Sequence, residues 1–497
     1  MRAWAQCMEH PAWRSQRLVA TGMLIIAVVV MAAAVHRAAT ASFSHDEALT
    51  YVRYVHLSYA DLALHKEAYT NNHLLNSVAM KCSASLFGTG ELALRLPNLL
   101  ALALFLFYAA RLLLGLPTVL ALGGFAVLAT NSYMLELFTL ARGYGLSFGL
   151  MLMALFHLVR AAQTLRTRDI VLFHAASVLA TLSNFTLLNA HLAGVITLGM
   201  VLWARHSLSA FPRKRLLQVF LLNVQMLLLS AAVLWLPIRN TLQANQLDFG
   251  SKADFFHSTV HTWAMSLLPG LYMSGPAWIR IYAVIALLVV VALAVVIRRY
   301  LRRDGPFFSL HTALPVTLGV LLLICLGSEL QHHLFGVDHM IQRFALFPVP
   351  LLVLVVVQLM ARAKHRGWRH LLSAVVLVAA SWSVVASARH FGPYRSMEWQ
   401  YDVNTRKAII AIASDMEKQG RSGTSVHVGI NWLFEPALNF YRMQWGLDAI
   451  QPLDRDGLTP HDAYRLVFQH EADATRAEGF IPLAEYPESG TILFRAP

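Results

Sequence analysis

Apolar residues fill long unbroken stretches of the first 390 positions, and polar residues gather in the gaps between them. About eleven such stretches stand out, near residues 18–38, 96–114, 117–132, 144–161, 170–183, 186–204, 216–237, 278–297, 310–327, 344–361 and 371–388. A run of about 20 apolar residues is the length of helix that crosses a bilayer core. The pattern predicts an α-helical polytopic membrane protein. The fifth and sixth spans are hardest to separate, because TLSNFTLLN (181–189) leaves little room for a loop. Past residue 390 the period changes. TRKAIIAIASDMEKQG (405–420) reads as an amphipathic helix closed by Gly420, TSVHVGINW (424–432) as a strand and GTILFRAP (490–497) as a final strand. The expected organisation is a transmembrane module over 1–389, with a long first external loop at 39–95, followed by a small soluble α/β domain over 390–497. There is no internal repeat and no low-complexity tract.

Composition supports this division. Hydrophobic residues make up 57% of the 497 and charged residues 13%, which excludes an ordinary soluble protein. The net charge of +13 would suggest nucleic acid in a soluble chain. Here the basic residues lie in short segments between apolar runs: RSQR, RTR, RHSLSAFPRKR, RRYLRR and RAKHRGWR. These fall on one side when spans alternate, so the charge is topological and places that side in the cytoplasm. The N-terminus is then cytoplasmic and the C-terminus external, with no nucleic-acid partner expected. The first run follows Arg14 and Arg17 and lacks a small-residue cleavage site, which reads as a retained signal-anchor. Cys7, Cys82 and Cys325 are too few and scattered for a disulfide framework or a zinc site.

The acids show the opposite asymmetry. Of the 27, 14 fall after residue 389. Of the other 13, only Glu9, Asp169 and Asp304 fall on the cytoplasmic side. Asp46, Glu47, Asp61, Glu67, Glu91, Glu136, Asp248, Asp254, Glu329 and Asp338 belong to external loops or external helix ends. None is expected at mid-bilayer, where ion-coupled transporters place buried charges. The first external loop contains the helical pattern NHLLNSVAMKCSASLFG, whose apolar residues suit a helix lying on the membrane surface. The second long loop, 238–277, is polar and aromatic. Phe255, Phe256, Trp263, Tyr272 and, just beyond it, Trp278 read most simply as interfacial anchors, with an acceptor groove as the alternative. The third, SELQHHLFGVDHMIQR (328–343), is dense in His. His332, His333, Asp338 and His339 have the residue types of a divalent-metal site, but their spacing matches no standard zinc pattern. A metal-free interfacial loop is the favoured reading, and no cofactor is assigned.

Asp46 and Glu47 stand side by side in SHDEALTYVRY (44–54), just past the first span. On their own they read as solvated acids or as the start of a helix whose dipole they complement. Their setting adds to this. LFGTGELALRLPNLLALAL (86–104), ARGY (141–144) and QRFALFPVP (342–350) follow in order. Over about residues 18–361 the ordered set resembles the glycosyltransferase-C superfamily of lipid-dependent membrane glycosyltransferases. It is most similar to the branch of protein O-mannosyltransferases and the lipid A aminoarabinose transferase. That family's hallmark Asp-Glu pair is matched by Asp46 and Glu47. One departure is NNHLLN (71–76), where the family commonly has HPPL or KPPL; both prolines are missing and His73 retains a polar group.

The resemblance implies a sugar donor carried on a polyprenyl phosphate, presented in the membrane to a lipid, glycan or protein acceptor. Asp46 would be the general base that takes the acceptor hydroxyl proton, in a single displacement with inversion. Glu47 would orient the site or bind the acceptor. Arg343, Arg142 and Tyr144 would bind the donor phosphate, since a guanidinium offers paired donors to its oxygens. Interfacial snorkelling is the plainer alternative for both arginines. His73 and Arg53 are candidate acceptor or loop contacts, Arg53 as a partner for Asp46 or Glu47. The expected setting is a bacterial inner membrane with the site on its periplasmic face. The rival readings are a non-catalytic lipid or solute transporter, which would need broken helices or mid-membrane charges, and a degenerate family member that only binds lipid or a partner.

Overall fold

The computed structural model describes residues 11–67, 69, 71–207, 212–244, 250–271, 273–302, 313–421 and 423–497. Cys7, Glu9, Thr70, Asp248, Tyr272, Arg303 and Asp304 lie outside the described residues, as does the 208–211 part of RHSLSAFPRKR.

Among the described residues, nine helices are long and apolar enough to cross a bilayer, from Gln16–Thr40 to Arg366–His390. A tenth span is broken: Thr118–Ala129 and Ser132–Phe138 meet at an angle of 58°. The break is made by Asn131, whose side chain caps the second piece by accepting from Met134 N at 3.0 Å. The expected span at 170–183 is the helix Thr167–Ser183, only 17 residues long. That is the short end of what crosses a bilayer; this helix packs along Gly143–Thr164. Among the described residues, nine or ten full-length spans therefore stand against the expected eleven. The linker TLSNFTLLN holds a single 3₁₀ turn, Phe185–Leu187. The chain is an integral membrane protein, and helices are the form expected because lipid cannot satisfy exposed backbone groups.

The first loop after Thr40 begins with the short helix His45–Thr50. It continues as one π-helical turn, Tyr51–Val55, and returns through the helices Tyr59–Ala63 and Leu74–Phe87. Beyond His390 the chain forms a four-stranded sheet. Its strands are β1 Val428–Ile430, β2 Tyr464–Phe468, β3 Ile481–Tyr486 and β4 Thr491–Arg495, in the order β1-β2-β4-β3. β1 pairs parallel with β2, whereas β4 lies antiparallel between β2 and β3. The helices Thr405–Lys418 and Glu435–Gln444 join this sheet in one hydrophobic core. Gly420 closes the first of them with φ +67°, as its position predicted.

That core is not confined to the tail. It is continuous with Phe43, Ala48, Tyr51, Leu94 and Ala141 from the first loop and the membrane helices. Phe43 stacks on Phe440 with ring centroids 4.2 Å apart, and Phe43 N donates to the Tyr441 hydroxyl at 2.7 Å. The tail thus acts as a wall against which the opening residues of the first loop are packed.

One aromatic of the second loop differs from expectation. Trp263 is buried, donates its indole N–H to Ala345 O at 2.8 Å and packs against Phe255. It is a core residue and not an interfacial anchor, because its polar handle finds a backbone partner inside the protein.

Candidate active site

The helix His45–Thr50 sets the two acids apart. Ser44 precedes it in extended conformation, and Glu47 reaches back to accept from Ser44 N at 3.0 Å and Ser44 Oγ at 2.9 Å. This is the carboxylate half of a capping box. Glu47 also accepts from Arg95 Nε and Nη2, both at 2.8 Å, and from Ala141 N at 2.6 Å. Burial alone would raise the Glu47 carboxyl, but the Arg95 charge and these hydrogen bonds outweigh it and hold it below the ordinary glutamate value. Glu47 and Arg95 are both fully buried. Arg95 in turn donates to the carbonyls of Ala38, Ala41 and Ser42, so this pair ties the end of the first span to the second.

Asp46 faces the other way. Its Oδ2 lies 3.4 Å from Arg142 Nη2 and 3.6 Å from Arg343 Nη2. The Trp399 side chain hydrogen-bonds the same carboxylate. Burial pushes this carboxyl up, yet the two guanidiniums, His45 and Trp399 outweigh it and leave it below the ordinary aspartate range. The Asp46 side chain is 15% exposed and that of Arg343 20%, whereas Arg142 is 2%. Asp46 and Arg343 therefore form the accessible edge of the cluster.

Arg142 is held from behind. It donates to Thr50 Oγ1 at 3.0 Å, Asn71 O at 3.1 Å and His73 Nε2 at 3.1 Å. His73 also hydrogen-bonds the Ser183 backbone; burial and then the two arginine charges push it well below its usual value, so it is a neutral acceptor. The glycines of ARGYG make this approach feasible. A Cβ on Gly143 would run into the Ser183 carbonyl and His73, and one on Gly145 would sit 2.6 Å from Asn98 Oδ1. Asn98 and Asn76 extend the support, with Asn98 Nδ2 on Asn76 Oδ1 at 3.0 Å and Asn76 Nδ2 on Ala141 O at 2.9 Å. The NNHLLN segment therefore docks through Asn71, His73 and Asn76.

Arg343 enters from the start of a late span. Its Nε donates to the Tyr144 hydroxyl at 3.1 Å, and its guanidinium lies between the rings of Phe344 and Trp399 at 5.1 and 5.0 Å. Its Nη1 pairs with Glu398, which also accepts from the Tyr133 hydroxyl. The structure thus brings together Asp46, Arg142, Tyr144, His73 and Arg343 from four separate segments, with Glu47 directly behind them. Arg53 is not among them. It is exposed and lies over the Tyr69 ring at 5.2 Å, while Asp46 and Glu47 take their ion pairs from other arginines. The expected pairing of Arg53 is not formed, because Arg95 takes Glu47 and Arg142 and Arg343 take Asp46.

Several residues here carried no assigned role in the sequence. Arg95 was marked only as part of the LFGTGELALRLPNLLALAL stretch, with no role of its own. Arg37 donates to Gly392 O at 3.0 Å and Arg395 O at 2.9 Å and pairs with Glu136 at 3.6 Å. Glu136 accepts from Ser396 Oγ at 2.5 Å and Met397 N at 2.9 Å. Asp402 accepts from His45 N at 2.6 Å. These contacts lash residues 392–402 across the cluster, and no motif marks them. The His-rich loop runs into Arg343, while its histidines contact one another and Glu329. His332 stacks on His339 at 4.1 Å, and Glu329 comes within 3.4 Å of His333. Among the described residues no group of three His, Cys, Asp or Glu is placed to hold a metal ion.

No protein-family model matches the chain, and no curated protein sequence does. Solved structures do. ArnT from Cupriavidus metallidurans in the apo state is 12% identical with a TM-score of 0.50, over 96% of this chain and 98% of that one. The same protein bound to undecaprenyl phosphate gives 12% and 0.49 over the same shares. The Archaeoglobus fulgidus oligosaccharyltransferase in complex with Zn and sulfate gives 11% and 0.46, over 91% of this chain and 69% of that one. At such identity the first of these likenesses speaks to architecture alone: the chain shares the overall fold of that ArnT structure, and its own C-terminal part carries a small four-stranded sheet.

Proposed function

We propose that the chain is an integral membrane glycosyltransferase that moves a sugar from a polyprenyl-phosphate donor to an acceptor hydroxyl, with inversion. The observation that carries this reading is the Asp46 carboxylate at the accessible edge of the cluster, flanked by Arg142 and Arg343. A base and a phosphate site are thereby adjacent. Arg343, fixed by Tyr144 and two aromatic rings, offers its guanidinium to the donor phosphate. Arg142, 2% exposed and bonded to Thr50, Asn71 and His73, acts on Asp46 and on the local field more than as a free phosphate ligand.

In the proposed step the acceptor oxygen attacks the anomeric carbon and its proton passes to Asp46 Oδ2. The bond from that carbon to the phosphate oxygen breaks, and the electron pair leaves with the lipid phosphate. An aspartate held low by two guanidiniums is a weak base. Donor phosphate brought beside Arg343 adds negative charge next to Asp46 and raises its proton affinity when the base is needed. Glu47 is a positioning residue that fixes the helix bearing Asp46, and His73 and Tyr144 position the two arginines.

The site is proposed to lie on the periplasmic face of a bacterial inner membrane, with the N-terminus in the cytoplasm and the tail outside. Protease added to sealed spheroplasts should remove the chain beyond about residue 390; a protected tail would invert this orientation. Purified protein incubated with polyprenyl-phosphate sugars and a membrane extract should transfer label to a lipid, glycan or protein acceptor detectable by mass. Failure of any such donor to lose its sugar, with folded protein, would refute the activity.

A further inference from the structure

Resting on the phosphate site just proposed, we infer that Glu398 is a stand-in anion. Its carboxylate occupies the face of Arg343 that the donor's phosphate takes, and phosphate binding displaces it. Three observations lead there.

The first is charge. Arg142 and Arg343 contribute two positive charges, Asp46 and Glu398 two negative ones, and His73 is neutral. A lipid phosphate entering this balanced cluster adds negative charge with no cation left over. Like charges crowded at a shared partner repel strongly where water is scarce. One carboxylate must give way.

The second is the setting of the partner. Asp46 sits on a helix and is held by Arg142, Arg343 and Trp399. Glu398 stands in an irregular segment between His390 and the 3₁₀ turn Gln400–Asp402. Its other partners are the Tyr133 hydroxyl and Arg343 N. The segment is anchored on either side of Glu398, by Ser396 and Met397 on Glu136 and by Asp402 on His45 N. Displacement of Glu398 is then a side-chain rotation out of a site where it is only 5% exposed, with both backbone anchors kept.

The third is that Arg343 does not need Glu398 to stay in place. Tyr144 accepts from its Nε, and its guanidinium lies about 5 Å from the ring centroids of both Phe344 and Trp399. Removing the Glu398 charge leaves a pre-formed fork facing the opening. The tail thus serves the site directly: it keeps a buried cation paired until the ligand arrives.

Farnesyl phosphate is the probe, with farnesol as the uncharged control, titrated calorimetrically into the full chain in detergent. The isosteric Glu398→Gln should bind farnesyl phosphate roughly tenfold more tightly than wild type, the factor for losing one competing charged hydrogen bond. Farnesol binding should not change. In an Arg343→Gln background the gain from Glu398→Gln should vanish, because it acts through that guanidinium. A gain that persists there is general charge relief and overturns the inference. Wild-type binding with equal or weaker binding by folded Glu398→Gln also overturns it, since Glu398 would then be holding Arg343 in shape. If Glu398→Gln does not fold, Tyr133→Phe loosens the same carboxylate and should tighten binding by a smaller factor; no gain there overturns the inference. Farnesyl phosphate binding by none of the folded variants, wild type included, refutes the lipid-phosphate reading beneath it.

Discussion

Glu47 points into a closed socket where Arg95, Ser44 and Ala141 supply five hydrogen bonds to its two oxygens. Asp46, one residue earlier, points to the accessible edge, where its neighbours are two guanidiniums and an indole. Successive side chains on a helix diverge by about 100°. Two adjacent acids on one turn can thus serve opposite ends: one binds the helix to the bundle, the other presents charge outward. The comparison teaches that adjacency in sequence says little about shared chemistry. The set of partners decides, and a carboxylate whose acceptor sites are all taken by fixed donors has none left for a substrate proton.

The largest effect should come from breaking the closed socket. Glu47→Ala leaves Arg95 as an uncompensated buried charge, which typically costs about 3–5 kcal/mol. Glu47→Gln should cost less but still lower the unfolding temperature, since the amide replaces acceptors with donors facing Arg95 and Ser44. Denaturation of the purified variants in one detergent checks this, and a Glu47→Ala protein as stable as wild type would place Glu47 with Asp46 as a solvent-facing acid.

Next comes the open side. Arg343→Ala should weaken lipid-phosphate binding by about 1.5–3 kcal/mol, the contribution of a hydrogen bond to a charged group. Arg343→Lys should recover part of it, because an ammonium cannot offer the planar fork. Stability should change much less than for Glu47→Ala. Unchanged affinity in folded Arg343→Ala would make this residue an interfacial anchor.

The smallest effect concerns Asp402, which braces His45 from the tail. Burial raises its carboxyl well above 3.8, and the nearby Asp46 and Glu47 charges add to this against the hydrogen bonds from His45 N and Thr405. A group with a raised folded value binds its proton more tightly in the native state. Its stabilising contribution is present below about 3.8 and is lost as pH rises toward the raised value. Asp402→Asn should flatten the fall in stability over that interval, and an unchanged slope in a pH series of unfolding midpoints would contradict the assignment.

How far the sequence reaches follows the same divide. The spans were readable because a bilayer demands runs of apolar residues, and the helix and two strands of the tail because their periods differ. Asp46, Arg142, Tyr144, His73 and Arg343 were singled out through the ordered family resemblance, and the fold gathers them. Arg53 was a candidate partner for Asp46 or Glu47, and the structure places it over the Tyr69 ring instead. The strap was not readable. Glu398, Trp399 and Asp402 lie in FGPYRSMEWQYDVN (391–404), which has no motif or period. Their partners Arg343, Asp46 and His45 are brought to them only by the packing of the tail on the first loop. The short span Thr167–Ser183 and the break at Asn131 were blurred for a simpler reason: apolar composition does not record a bend.

The most direct test of the central claim is sugar transfer by Asp46→Asn, measured beside its unfolding temperature. Asn keeps the size of the side chain and loses the proton acceptor, and it leaves the Ser44–Glu47 cap untouched. The account predicts a folded protein whose unfolding temperature stays near wild type and whose turnover falls by roughly 10² to 10⁴, the usual contribution of a positioned base. Turnover close to wild type in a folded Asp46→Asn protein would contradict it and remove Asp46 from the chemistry.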